Sequence, residues 1–169
     1  EAAVNLLYGA VNPSGKLAET WANAYEHTPA KDNFAGKGRT VQYREGLYVG
    51  YRYYQTAGVP VAFPFGYGLS YTNFAYRNAK LSSGKITKDQ SVTLTFDIAN
   101  TGKMDGDEVA QIYIKNPNDP EGPIKALKAF LRVHVKAGDS QEVNIELTPE
   151  AFHSFNDNTQ TMEVRPGKY

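Results

Sequence analysis

From Val92 to Ile98 the chain alternates: Val92, Leu94, Phe96 and Ile98 point one way, and Thr93, Thr95 and Asp97 the other. A period of two predicts a half-buried β-strand. The alternation returns with Ala110, Ile112 and Ile114, with Leu127, Ala129, Leu131, Val133 and Val135, and with Val143, Ile145 and Leu147. In the third of these rows Lys128, Arg132 and His134 face out, and Phe130 breaks the pattern by falling on the outer face. Thr161 to Val164 predicts one more strand. Turn-forming stretches separate the rows: NTGKMDG at 100–106, where Asp105-Gly106 can take positive φ cheaply, a Pro- and Asn-rich run at 116–123, Gly138-Asp139 and Pro166-Gly167. Thr148-Pro149-Glu150-Ala151 predicts a helical turn with Thr148 as its cap and Pro149 in first position. Short strands spaced by turns predict a mainly β fold, an antiparallel sandwich over residues 74–169. Each inward side chain is worth about 1.5–3 kcal/mol when fully buried.

The first 42 residues read differently. EAAVNLLYGA at 1–10 predicts the end of a helix, with Val4, Leu7 and Tyr8 on one face and Gly9 as a stop. Asn12-Pro13-Ser14-Gly15 is a turn by composition, and KLAETWA at 16–22 predicts a short strand. Residues 23–40 form a long polar loop of the kind that is usually functional or disordered. A helix end, a turn and a strand make the tail of an α/β unit, a remnant too small to fold alone.

No amphipathic period fits the stretch between these parts, a connector over residues 43–73. From Tyr43 to Tyr76 the chain holds eight of its twelve tyrosines, together with Phe63, Phe65 and Phe74 and five glycines. Rings at this density have to be covered, because each buries a large area. Tyr43, Tyr48, Tyr51, Tyr53, Tyr54, Phe63, Phe65, Tyr67 and Tyr71 are the candidate packing residues that glue two folded units together.

Composition narrows the function classes. The formal net charge is zero, so no electrostatic reason exists to propose nucleic acid or an anionic membrane as partner. There is no cysteine, hence no disulfide or thiolate chemistry, and no apolar run long enough to span a bilayer. The compartment stays open.

YREGLYVGYRYY followed by FPFGYGLSYTNF resembles the connector of family 3 glycoside hydrolases of the β-glucosidase type. NPSGKLAET before it and NTGKMDGDEVAQIYIKNP after it resemble the same family, in the same order, over nearly the whole chain. The resemblance implies an α/β sandwich domain joined by this connector to a fibronectin type III-like (immunoglobulin-like) sandwich. It implies a parent enzyme that removes terminal β-linked sugars, β-glucosides above all, with retention. It places the Asp nucleophile on a barrel domain and the Glu acid/base upstream of NPSGKL, so no catalytic residue is carried onto this chain. The segment is then accessory and inactive alone, with the remainder of the parent enzyme as its partner and the sugar reached only through those domains. No cofactor or metal is implied. A final strand is implied after Pro166-Gly167, so both ends read as cuts and an exposed sheet edge is expected. Trp21-Ala22 departs from the Phe-Pro that many relatives carry.

Glycoside hydrolysis needs two carboxyl groups flanking the scissile bond. Glu45, in YREG beside Arg44, is the tempting carboxylate, but no second one faces it by any pattern, and a salt-bridged or capping Glu is the alternative. Arg44 and Arg52 can stack on rings or line a cleft rim. Trp21 and the tyrosines can stack on sugar or pack between domains. Asp105, Asp107 and Glu108 lack the rest of a calcium loop and read as a charged hairpin turn. His27, His134 and His153 have no metal-ligand spacing. The rival class is a free-standing β-sandwich module that binds carbohydrate or protein, and a third reading is one piece of a split enzyme.

Overall fold

The alternating rows are strands in the computed structural model, which describes residues 1–34, 36, 38–116 and 118–169. In chain order the elements are helix α1 (Ala2–Leu7), strand β1 (Trp21–Ala22), a 3-10 turn (Tyr25–His27), helix α2 (Tyr51–Thr56), β2 (Val61–Phe63), β3 (Phe74–Leu81), β4 (Val92–Asn100), β5 (Gly106–Ile114), β6 (Ala126–Val135), β7 (Ser140–Leu147), a second 3-10 turn (Pro149–Phe152), β8 (His153–Asn156) and β9 (Thr161–Val164). All pairings are antiparallel: β3-β4-β7 form one sheet, β5-β6 face it as a second, and β1-β2 and β8-β9 are two-stranded.

The core lies where the inward rows of the two larger sheets meet. Register puts Val92 opposite Leu147, Leu94 opposite Ile145 and Phe96 opposite Val143, so the rows of β4 and β7 form cross-strand apolar pairs on one face. Ala110 of β5 and Val133 and Val135 of β6 close over them, and Ile98 and Ala110 are fully enclosed. The mainly β, antiparallel sandwich expected from periodicity is the architecture observed.

Several local expectations are corrected. The strand expected over 16–22 is reduced to Trp21–Ala22, which pairs with β2. Before it, the Leu17 amide donates to the Tyr67 carbonyl and the Leu17 carbonyl accepts from Gly66, across a turn at Pro64 that ends any ladder. The connector is not wholly irregular. Its YRYYQT run is helical because positions three apart share a face, and Tyr51 and Tyr54 use that face to reach cover. Asp105-Gly106 is not a positive-φ turn, and Asp107 and Glu108 lie within strand β5 rather than in a hairpin turn. Gly106 opens β5 opposite Val135, and the link from β4 to β5 crosses between sheets. The helical turn expected at 148–151 is a 3-10 turn with Thr148 at its N-cap position and Pro149 at its start, although the Thr148 side chain makes no cap hydrogen bond. Leu131, expected inside, is largely exposed, whereas Lys128, expected outside, is half-buried. Strand β8 escapes prediction because its alternation is inverted, with Ser154 buried and Phe155 exposed.

Ile98→Ala should lower stability by about 2–5 kcal/mol, the usual cost of a large-to-small change in a closed core. Phe130→Ser, at a residue 70% exposed, should stay within about 0.5 kcal/mol. Urea midpoints of the two variants check this pair. Equal losses would contradict the core assignment.

Candidate functional site

Several of the candidate residues lie where the connector meets the sandwich. On its inner side, α2 presents Tyr51 to the β5-β6 sheet. The Leu127 amide donates to the Tyr51 hydroxyl at 2.7 Å, and the ring packs against Phe65 (4.9 Å between centroids) and edge-on against Tyr113 (5.7 Å). Burial raises the phenol pKa of Tyr113, and Tyr51 adds to the rise. Tyr54 is the one buried residue of α2 and packs edge-on against Tyr53 at 5.2 Å. Its pKa is raised, first by burial and then by Tyr53 and Glu45. Tyr48 donates from its hydroxyl to the Glu121 carbonyl at 2.6 Å, and the Ile124 amide donates to the Thr56 hydroxyl at 3.3 Å. Gly66, at φ 80°, sits under the Gln111 side-chain amide, where a Cβ would lie 2.5 Å from its oxygen and nitrogen.

The NPSGK turn latches onto the same surface. Asn12 donates from Nδ2 to the Asp105 carbonyl at 3.1 Å, and its Oδ1 accepts from the Ser70 hydroxyl and the Tyr71 amide at 3.0 and 2.9 Å. This approach requires a glycine at 106, since a Cβ there would fall on the Asn12 amide nitrogen. Ser14 accepts from Arg132 at 3.1 Å, and Lys16 pairs with Glu108 at 3.1 Å. Glu108 also accepts from the Tyr76 hydroxyl at 3.0 Å, and burial, aided by the Glu108 charge, pushes that phenol strongly up. Arg132 and His134 both pair with Asp107. The His134 hydrogen bond, followed by Arg132, holds the Asp107 carboxyl below its ordinary value.

Beneath the latch lies a buried polar hub. Asn100 is 2% exposed and donates from Nδ2 to the carbonyls of Met104 and Val135 at 2.8 and 3.0 Å. Its Oδ1 accepts from the Thr72 hydroxyl and the Gly102 amide. Every polar group of that side chain is used, which is the condition for burying an amide at low cost. The alternation of β4 does not mark Asn100 or Thr72. Their signal is the NTGKMDG motif, which reads as a turn until the structure shows what it clasps.

The nine candidate packing residues divide between two sides. Tyr48, Tyr51, Tyr54 and Phe65 make the contacts inside the chain described above. Tyr53 lines a groove of about 380 Å³ with Pro29, Arg44, Glu45 and Tyr48. Tyr43 is 95% exposed, and Phe63, Tyr67 and Tyr71 are exposed too. Tyr71 donates to the Leu6 carbonyl at 2.8 Å, which ties α1 to the connector. Phe63 packs on Tyr67 at 5.0 Å and takes the edge of Trp21 at 6.2 Å. Leu7, Tyr8, Leu47, Val49 and Leu69 are also more than half exposed.

Arg52 lies 5.9 Å from the Tyr51 ring centre, while the Arg44 guanidinium donates to Gln42 rather than to a ring. Glu45 makes no ion pair among the described residues. It lines the groove beside Arg44 without a facing carboxylate, whereas Asp107 and Glu108 are each held by cations. No group of three or more His, Asp or Glu among the described residues is placed to hold a metal ion.

The comparisons decide the family. Residues 1–71 match the glycosyl hydrolase family 3 C-terminal domain, and residues 108–169 match the fibronectin type III-like domain. The chain belongs to the family 3 glycoside hydrolases. It is 38% identical over 169 residues to thermostable β-glucosidase B of Acetivibrio thermocellus, covering 99% of this chain and 22% of that protein. It is 38% identical over 168 residues to a xylan 1,4-β-xylosidase of Xylanibacter ruminicola, covering 99% and 18%. It superposes on the crystal structure of β-glucosidase from Kluyveromyces marxianus with a TM-score of 0.90 at 40% identity, covering 98% of this chain and 20% of that one. This family 3 chain thus spans about a fifth of the length of the curated relatives it matches.

The latch has a pH signature. The Asp107 pKa is depressed in the fold, so its stabilisation is present above the unfolded value of about 3.9 and is lost as pH falls through the lower folded value. Asp107→Asn should therefore flatten the fall in melting temperature below about pH 4. An unchanged acid slope would contradict the ion-pair assignment.

Proposed function

We propose that this chain is the accessory C-terminal part of a retaining glycoside hydrolase that removes terminal β-linked sugars, β-glucosides in particular. Residues 1–42 complete an α/β domain, residues 43–73 are the connector, and residues 74–169 form the fibronectin type III-like sandwich that the connector docks onto the catalytic domains. The observation that carries this reading is the division of the connector rings. Tyr51 is hydrogen-bonded to β6 and Tyr54 is buried, while Tyr43 and Tyr71 remain more than half exposed. Large exposed apolar side chains concentrated in one stretch are the raw material of an interaction surface. The family, and relatives about five times as long, supply the body that would cover it.

The sugar class follows from the relatives, whose names include both β-glucosidase and xylan 1,4-β-xylosidase. β-linkage is common to those names, and the sugar is not. The chain itself contributes positioning, because its carboxylates nearest the junction are committed to Lys16, Arg132 and His134 or, for Glu45, face no second acid. Two opposed carboxyl groups are the minimum for the reaction.

A second reading, a carbohydrate-binding module, rests on the Trp21, Phe63 and Tyr67 cluster, whose rings are all partly open to solvent. The T-shaped contact of Trp21 on Phe63 uses one ring to cover another, which favours packing over a flat sugar platform.

The 169-residue chain alone should release no nitrophenol from an aryl β-glucoside above background. A protein that joins it to its upstream domains should release it readily. Turnover by the isolated chain would overturn the accessory role, and retention of the chain on insoluble glucan would favour the module.

A further inference from the structure

Between α2 and the end of the sandwich formed by β8 and β9 lies a cavity of about 230 Å³. Its walls are mainly apolar, with Ile114, Phe152 and Phe155 among them, and polar side chains break that lining, Arg52, Lys128 and Ser154 among them. Arg52 Nε and Ser154 Oγ are buried without a hydrogen-bond partner, and Ser154 is only 8% exposed. Neither Arg52 nor Lys128 has an ion-pair partner among the described residues. Asp119, the one carboxylate on the wall, turns to Arg165 at 3.9 Å. Burial, followed by the Arg52 charge, pulls the Lys128 pKa down.

An unpaired guanidinium N–H and an unpaired hydroxyl in an apolar cavity are costly unless something accepts from them. We propose that this cavity is a binding site for an organic carboxylate carrying a single-ring-sized apolar body. The carboxylate would accept from Arg52 and Ser154 and neutralise Lys128, while its body would lie against Ile114, Phe152 and Phe155. Arg suits the role because its planar fork matches a carboxylate edge. The size excludes an oligosaccharide, since drug-sized pockets run from about 300 to 1,000 Å³. The proposal is independent of the docking role above, because these residues face the sandwich rather than the exposed rings.

Isothermal titration calorimetry of the intact protein with benzoate, benzamide and sodium sulfate tests it. Benzoate should bind saturably, and benzamide and sulfate should each bind at least about tenfold more weakly, since each lacks one half of the match. Arg52→Gln and Lys128→Gln should each weaken benzoate by about tenfold, and Ser154→Ala by about threefold. The ligand series on the wild-type protein stands without the variants should one of them fail to fold. Equal binding of benzamide would overturn the role of charge, and equal binding of sulfate would overturn the role of the apolar wall. Wild-type benzoate affinity in all three variants, or no saturable binding at all, would overturn the site.

Discussion

The Tyr51 hydroxyl accepts the Leu127 amide of β6 while the Tyr51 ring packs between Phe65 and the β5 residue Tyr113. That contact fixes α2 against the second sheet, and α2 fixes the rest of the connector. With Tyr51 and Tyr54 turned inward, a six-residue helix has little choice about what its other faces show. The neighbouring rings, Tyr43, Phe63, Tyr67 and Tyr71, are left exposed. An isolated helix this short is not stable in water, so packing of its inner face holds it together.

A second set of contacts works through amides rather than rings. Asn12 joins the first segment to the connector and to the start of β5, and Asn100 joins the connector, through Thr72, to the ends of β4 and β6. Aromatic packing sets which surfaces meet, but it is weakly directional. The two asparagines, each with donors and acceptors used, set the register of that meeting. The salt links of Lys16, Arg132 and Asp107 lie at the rim and add less, since partly exposed ion pairs are worth little.

Much of the sandwich was legible because its strands carry a strict period of two, and Val92–Ile98 and Val143–Leu147 predict both strands and their inward faces. Legibility failed where side-chain hydrophobicity and burial part company. Strand β8 buries Ser154 and exposes Phe155, so its pattern points the wrong way. Gly106 looks like a turn glycine, yet its purpose is to let Asn12 approach. Asn100 closes an apolar strand with a polar residue whose partners lie far away in sequence. For the connector, aromatic density marked the place, but only tertiary contacts divide inner rings from outer ones, and no local pattern distinguishes Tyr51 from Tyr43.

The central claim is that the outer rings exist to be covered by a body beyond this chain. Tyrosine accessibility to a mild acetylating reagent, read residue by residue by mass spectrometry, tests it in the 169-residue chain and in a protein that adds the upstream domains. The account predicts that Tyr43 and Tyr71 react in the isolated chain and are protected in the longer protein, while Tyr51 and Tyr54 are protected in both. Equal reactivity of Tyr43 and Tyr71 in the two proteins would contradict it.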